Sequence, residues 1–194
     1  VFSLSTLVGI ANMIDLKTSR PLNSFRVAFM SKEVAKHLNF DDEAVDLIYK
    51  SALIRDIGFL NMDAKIFSKQ GILNPREREM IESHPIKGFE MLSFIKIDPI
   101  IEKIVKYHHE KNNGKGFPYK VNQVPLVAQI VELAEVFDAL TSYRSYRSSL
   151  TTEEAIEVIY NELEDDFSSD ALSALKKVTQ EKGNVEKSVM INEL

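Results

Sequence analysis

The chain has 194 residues, of which 44% are hydrophobic and 27% charged, so it can build one packed core and is not a disordered or low-complexity chain. It has no cysteine, which excludes disulfides, iron–sulfur clusters and cysteine nucleophiles. A net charge of −5 argues against a broad surface for DNA or RNA. We therefore expect a single cytoplasmic domain over residues 1–194, cut from a longer protein because it starts at Val1 in a helical pattern.

The first segments predict three helices. Apolar residues recur at helical spacing over residues 4–14 and again over 27–38. A third helix is predicted to begin at Asp41 or Asp42, both good N-caps, and to stop at Gly58. The first helix carries almost no charge, so it must be covered within the domain, by a preceding domain, or across a homodimer.

The rest of the chain repeats the same kind of pattern. Asn74 followed by Pro75 and Glu77, and Thr151 followed by Glu154, are reciprocal helix-capping arrangements. No alternating β-strand run of useful length is present, so the predicted fold class is all-α. The predicted helices cover 75 to about 92, 99–110, 125–141, 151–163 and 168 or 169 to 182.

Three of the 4 histidines form a candidate metal site. His84 precedes a proline, and His108 and His109 are adjacent at a predicted helix end, where both rings can turn inward. Neutral imidazole is a common ligand of zinc, iron, nickel or copper, and Asp56 could add an oxygen. The alternative is a histidine pair that simply faces solvent.

Four segments, in this order, carry a family resemblance. They contain Arg55-Asp56, Ser83-His84-Pro85, the run from His108-His109 to Gly116-Phe117-Pro118, and Phe137-Asp-Ala-Leu-Thr-Ser142 with the basic residues after it. The chain resembles the HD-GYP family over most of its length. The resemblance implies a helical bundle of the HD superfamily with HD-GYP-type C-terminal helices. It also implies a cyclic di-GMP phosphodiesterase in which two or three iron or manganese ions activate a bridging hydroxide.

The departures from this family pattern fall on the chemistry. The family's histidine–aspartate pair reads Arg55-Asp56, and its late aspartate ligand reads Glu135. The other differences are losses of a lysine, a histidine, a glutamate and a tyrosine hydroxyl, at Phe59, Asn23, Ser19 and Phe117 respectively.

When the expected ligands are grouped by metal site, the resemblance implies that one site is complete. Its ligands are Asp56, His84, His108 and His109, with Glu135 as a further candidate. We expect one divalent transition metal, namely iron, manganese, zinc or nickel, rather than paired metals.

Arg55 suggests a replacement for the lost metal. A guanidinium cannot coordinate a cation, but it can neutralise Asp56 and Glu135 through forked hydrogen bonds. It cannot ionise a water molecule. The arginine would therefore replace the structural role of the metal but not its catalytic role. The alternative is that Arg55 turns to solvent.

Substrate binding is assigned by resemblance to Arg144, Arg147 and Phe117. Two guanidiniums can hold a phosphodiester by charge-assisted hydrogen bonds, although surface charge is the alternative. Tyr143 and Tyr146 could pack under the loop or stack on a base.

These residues predict a degenerate signalling domain that keeps one metal site, with little or no cyclic di-GMP hydrolysis, acting in nucleotide sensing or protein interaction. Its expected partners are cyclic di-GMP, another protein, an N-terminal sensory or receiver domain, or a second copy of the chain. Two alternatives stay open: an active metal-dependent cyclic di-GMP phosphodiesterase, and a metal-free interaction scaffold like the related HDOD domains.

Overall fold

The computed structural model describes residues 2–69, 71–142 and 148–192, with side chains up to 181. Every regular element in these ranges is helical, which confirms the all-α prediction. The α-helices, in chain order, are α1 (Leu4–Thr18), α2 (Asn23–His37), α3 (Asp42–Ile54), α4 (Lys65–Ser68), α5 (Pro75–Glu82), α6 (His84–Leu92), α7 (Pro99–Tyr107), α8 (Leu126–Thr141), α9 (Thr152–Glu162) and α10 (Ser169–Asn192). Short 3-10 helices cover Ile57–Asn61 and Glu164–Asp166.

The predicted helix starts follow from side-chain caps. The Asp41 carboxylate accepts a hydrogen bond from the Ala44 amide, which begins α3. Complete capping boxes at Asn74 and Thr151 begin α5 and α9. Each cap satisfies amide groups that have no partner inside the helix, so these starts depend only on neighbouring residues.

Helix α2 lies at the centre of the packing, against α3 on one side and α8 on the other, while α7 packs against α3 and α8. The core between them is fully buried at Val34, Leu53, Ile104 and Leu133. This packing brings the ends of α3 and α7 and the start of α6 towards α8.

Helix α1 is covered only on one side. Leu7, Ala11 and Ile14 are buried in the core, whereas Met13 and Leu16 are exposed. No helix in the described part of the chain is both long and apolar enough to cross a bilayer.

Several predicted helices end differently in the structure. The helix predicted to end at 110 ends at Tyr107, and the one predicted to end at 182 continues to Asn192. The helix predicted from 75 to 92 is two helices, because Pro85 lacks an amide proton and its ring crowds the preceding turn, which breaks the helix at Ser83. Helix α3 ends at Ile54, so Arg55 is its C-cap and Asp56 stands at the start of the 3-10 helix that contains Gly58.

Two glycines allow the 3-10 helix to touch α6. A Cβ atom on Gly58 would lie 2.0 Å from the carbonyl oxygen of His84 and 2.7 Å from the amide nitrogen of Gly88. A Cβ atom on Gly88 would lie 3.2 Å from Ile57. The two backbones therefore meet directly, and this contact sets Asp56 beside His84.

We expect Gly58→Ala to lower the free energy of unfolding by about 1–3 kcal/mol or more, because the added methyl group forces two backbones apart. Urea denaturation measures the loss. Gly9→Ala is the matched control, since nothing lies within 4 Å of its added Cβ atom in α1. That control is expected to gain about 0.5–1 kcal/mol from helix propensity. Equal stability of the two variants would show that the close contact does not hold the fold.

Candidate metal centre

Four side chains predicted from the sequence meet at one point. Asp56 follows the end of α3, His84 begins α6, His108 caps α7, and His109 comes next in the turn. One ligand atom of each lies within 4.8 Å of those of the other three. This cluster could hold a metal ion.

The orientation of two imidazole rings is set by main-chain carbonyls. His84 Nδ1 lies 2.8 Å from the Ile81 carbonyl oxygen, and His108 Nδ1 lies 3.0 Å from that of Ile104. A carbonyl oxygen only accepts, so each Nδ1 must carry the proton, and in a neutral ring Nε2 then carries a lone pair. The two Nε2 atoms lie 3.0 Å apart.

Asp56 Oδ1 completes a set of atoms that have no proton to share. It lies 3.1 Å from His84 Nε2 and 3.6 Å from His108 Nε2. Among the described side chains it is the buried oxygen that has no hydrogen-bond partner. Lone pairs that converge in a buried site are stabilised by a cation, so the residues present fit a metal ion with nitrogen and oxygen ligands.

Burial of His84 and the charge of Arg55 keep these groups in the protonation state that a metal requires. Burial lowers the pKa of His84 to about 4, so the ring is neutral at physiological pH. Burial opposes ionisation of Asp56, but the positive charge of Arg55 beside it holds the pKa of that carboxyl well below its usual range.

His109 is held by groups from two other parts of the chain. Its Nδ1 lies 2.9 Å from Glu132 Oε2 on α8, and the ring of Phe117 stacks on it with centroids 4.6 Å apart. Burial, together with the charge of Glu135, raises the pKa of Glu132 to about 8. Sequence analysis missed Glu132; the available signal was a carboxylate three residues before Glu135, on the same face of a buried helix.

The loop that carries Phe117 folds back over His109. The Phe117 amide donates to the carbonyl oxygen of His109 at 3.1 Å. Gly116 permits this approach, because a Cβ there would lie 2.5 Å from Glu110 Cα. The buried Glu110 carboxylate accepts hydrogen bonds from the amides of residues 119–121, a role not predicted from sequence.

Arg55 is fully buried and does not turn to solvent. Its Nε donates to Glu135 Oε2 at 2.8 Å, and Nη2 lies 3.1 Å from Asp56 Oδ2. Nη2 also donates to Asn23 Oδ1 at 2.8 Å. Burial disfavours the charged guanidinium, but Glu135 and Asp56 raise the pKa of Arg55 above its ordinary value.

Both carboxylate oxygens of Glu135 are bound by guanidiniums. Oε2 accepts from Arg55, and Oε1 accepts from Arg20 Nη1 at 3.2 Å. Burial opposes ionisation of Glu135, but the charge of Arg55, with smaller effects from His109 and Arg20, lowers its pKa to about 2. Glu135 lies with His109 and Glu132 in a second group of potential ligands, although its oxygens are already engaged.

The structure also shows where the other residues that differ from the family pattern lie. Phe59 packs its ring on His84, with centroids 4.1 Å apart, and the Arg20 guanidinium lies 5.8 Å from the same ring. Asn23 donates to Asp138 Oδ2 at 2.7 Å and so connects Arg55 to that carboxylate. Ser19 is exposed at the end of α1, in a left-handed conformation.

Four residues assigned near the substrate lie outside the described residues: Tyr143, Arg144, Tyr146 and Arg147. Asp138, which precedes them on α8, is bound by Arg26 and Asn23.

Comparison with known proteins agrees with this fold. The family model described as "HD domain" matches residues 10–168. A cyclic di-GMP phosphodiesterase of Thermotoga maritima is 31% identical over 187 residues, which cover 92% of this chain and 50% of that protein. A cyclic di-GMP phosphodiesterase response regulator of Xanthomonas campestris pv. campestris is 32% identical over 142 residues, covering 70% of this chain and 37% of the relative. The chain thus spans half or less of these relatives.

Solved structures show the same fold. An HDG"Y"P protein from Bdellovibrio bacteriovorus superposes with a TM-score of 0.66 at 20% identity, covering 81% of this chain and 51% of the other. The HD domain of an L. monocytogenes phosphodiesterase, in complex with cyclic-di-AMP, superposes with a TM-score of 0.64 at 17% identity, covering 92% of this chain and 96% of the other. The chain belongs to the HD-domain family, and its curated relatives are named cyclic di-GMP phosphodiesterases or 3'3'-cGAMP-specific phosphodiesterases.

We expect Arg55→Leu to lower the free energy of unfolding by about 3–5 kcal/mol, because it leaves two buried carboxylates without their cation. Chemical denaturation of the metal-free protein measures this loss. Arg26→Leu is the control: Arg26 also binds a buried carboxylate, but its side chain is 45% exposed. An exposed partner contributes about 1 kcal/mol or less. A loss at Arg55 no larger than that at Arg26 would contradict the prediction.

Proposed function

We propose that the chain is a degenerate HD-GYP-type signalling domain that binds one divalent transition metal and has little or no cyclic di-GMP hydrolysis. This proposal rests on one observation: two neighbouring groups of potential ligands differ in whether their atoms already have partners. Asp56 Oδ1 and the Nε2 atoms of His84 and His108 face one another without a proton, whereas both oxygens of Glu135 are already bound by arginines.

The metal would be held by Asp56, His84, His108 and His109. Three imidazoles and a carboxylate suit iron, manganese, zinc or nickel. When bound, such an ion polarises a phosphate oxygen and lowers the pKa of a water molecule. The protein's own contribution is to hold neutral rings in a fixed tautomer and to shield the centre beneath Phe117.

Arg55 supports the proposed loss of hydrolysis. Paired metals stabilise both the attacking and the leaving oxygen of a phosphodiester, and a second ion needs free carboxylates. Arg55 already neutralises Asp56 Oδ2 and Glu135 Oε2. We infer that this guanidinium replaces the structural role of an ion and leaves the centre with one metal.

A cyclic dinucleotide is the proposed ligand, by analogy with the named relatives. The metal and the guanidiniums of Arg144 and Arg147 would bind its phosphates, and Phe117 would line the same site. Nucleotide binding would be sensed by a protein partner, an N-terminal sensory or receiver domain, or a second copy of the chain. The proposed location is the cytoplasm.

A second candidate function is an active phosphodiesterase. It is favoured by the second group of potential ligands, namely His109, Glu132 and Glu135. The two functions differ in the number of ions bound and in turnover.

We expect the purified protein, loaded with Zn²⁺ and desalted, to retain about one ion per chain by elemental analysis, as a single centre requires. His108→Ala should retain well below one, because it removes a ligand at the point where three lone pairs meet. His37→Ala is the control, since His37 lies at the end of α2, where its Nε2 contacts Glu181. Zinc content that is unchanged by His108→Ala, or absent from the wild type, would favour the metal-free scaffold.

We expect Fe- or Mn-loaded wild type to hydrolyse cyclic di-GMP far more slowly than about 1 per second, a rate at the low end for enzymes. Arg55→His should raise the metal content from about one toward two, because it replaces a fixed cation with a ligand. Metal should also stabilise Arg55→His more than Arg55→Leu, which keeps the first centre but offers no ligand for a second ion. Turnover by the wild type at enzymatic rates would establish the active phosphodiesterase instead.

A further inference from the structure

Each imidazole of the proposed metal centre directs Nδ1 at an oxygen atom, but the source of that oxygen differs. His84 and His108 direct Nδ1 at main-chain carbonyls of Ile81 and Ile104, which lie three and four residues earlier in the chain. His109 lies one residue beyond the C-cap of α7, where the helix no longer supplies a carbonyl at that spacing. Its Nδ1 is directed instead at a side chain from another helix, Glu132.

Glu132 is rigidly placed for this contact. Its residue is 6% exposed, and its neighbours on α8, Val131 and Leu133, are fully buried. A buried side chain in a packed helix keeps one rotamer, so the carboxylate oxygen stays at a fixed place beside His109. A hydrophobic side chain would fill the same space at a lower desolvation cost, so stability gives no reason for a carboxyl group here.

Direct metal binding by Glu132 explains the contact less well. A site made of His109, Glu132 and Glu135 would need oxygens of Glu135 that already bind Arg55 and Arg20. Nδ1 of His109 lies 2.9 Å from Glu132 Oε2. The contact instead leaves Nε2 of His109 for the cluster that contains Asp56.

We propose that Glu132 is a positioning residue of the metal centre, which fixes the tautomer and orientation of His109 so that Nε2 carries its lone pair towards the metal. When Glu132 is ionised, its carboxylate accepts from Nδ1 and also makes the imidazole a stronger ligand. Glu132 thus does for His109 what backbone carbonyls do for the other two rings. This inference rests on the proposed metal centre.

The test uses Glu132→Leu and Glu132→Gln, with Zn²⁺ affinity measured by competition with a chromophoric chelator. Loss of an orienting partner typically weakens metal binding about 10–100-fold, and we expect this for Glu132→Leu. Glu132→Gln keeps an acceptor oxygen and should bind zinc more tightly than Glu132→Leu. Glu157→Gln removes the same charge from an exposed position on α9 and should leave the affinity unchanged.

A double-mutant cycle separates positioning from a general effect on the fold. In a His109→Ala background, Glu132→Leu should have no further effect on zinc affinity, because the ring through which Glu132 acts is absent. The metal-free Glu132→Leu protein should be at least as stable as the wild type in urea. Zinc affinity of Glu132→Leu within twofold of wild type, or an equal loss in the His109→Ala background, would overturn the proposal.

A measurement without metal keeps the two proposals distinguishable. Above the pKa of Glu132, where its carboxylate can only accept, the ¹⁵N chemical shifts of the His109 ring should show the proton on Nδ1 in the metal-free wild type and a mixture of tautomers in Glu132→Leu. Wild type that binds no zinc but shows this shift would refute the metal centre alone. Wild-type zinc binding with the His109 proton on Nε2 in the metal-free protein would refute the role of Glu132 alone.

Discussion

The buried guanidinium of Arg55 is the interaction on which the centre of this molecule depends. Asp56 and Glu135 come from different parts of the chain, and each would be costly to bury as an anion without a cation beside it. Arg55 contacts both, and Asn23 extends the same network to Asp138. One side chain therefore connects the end of α3 to α2 and α8, and it holds Asp56 with Oδ1 directed at the histidines.

The candidate metal centre and the arginine network each use one oxygen of the Asp56 carboxylate. Asp56 Oδ2 faces Arg55, while Oδ1 faces the Nε2 atoms of His84 and His108. The first contact keeps the group ionised, and the second leaves an oxygen that could bind a metal ion. This division explains how a domain with HD-family relatives can keep one complete ligand set next to a position where a side chain supplies the positive charge.

Close backbone contacts and aromatic stacking give the centre its rigidity. Gly58 and Gly88 let the turn after Asp56 touch the helix that begins with His84. Phe59 covers one face of His84, and Phe117 covers His109. Rings held in this way reach a ligand geometry without paying further conformational entropy when an ion binds.

The sequence by itself determined the all-α class and most helix starts, and it indicated the four side chains that the structure brings together as a possible metal site. Capping side chains at Asp41 and Thr151 act on amides two or three residues away, so their effect is readable from a short stretch. The resemblance also led us to expect Arg55 beside Asp56 and Glu135, 80 residues later, but the sequence did not indicate that Glu132 would contact His109. Those contacts depend on how α3, α7 and α8 pack, and only the tertiary structure decided which buried charges would become partners.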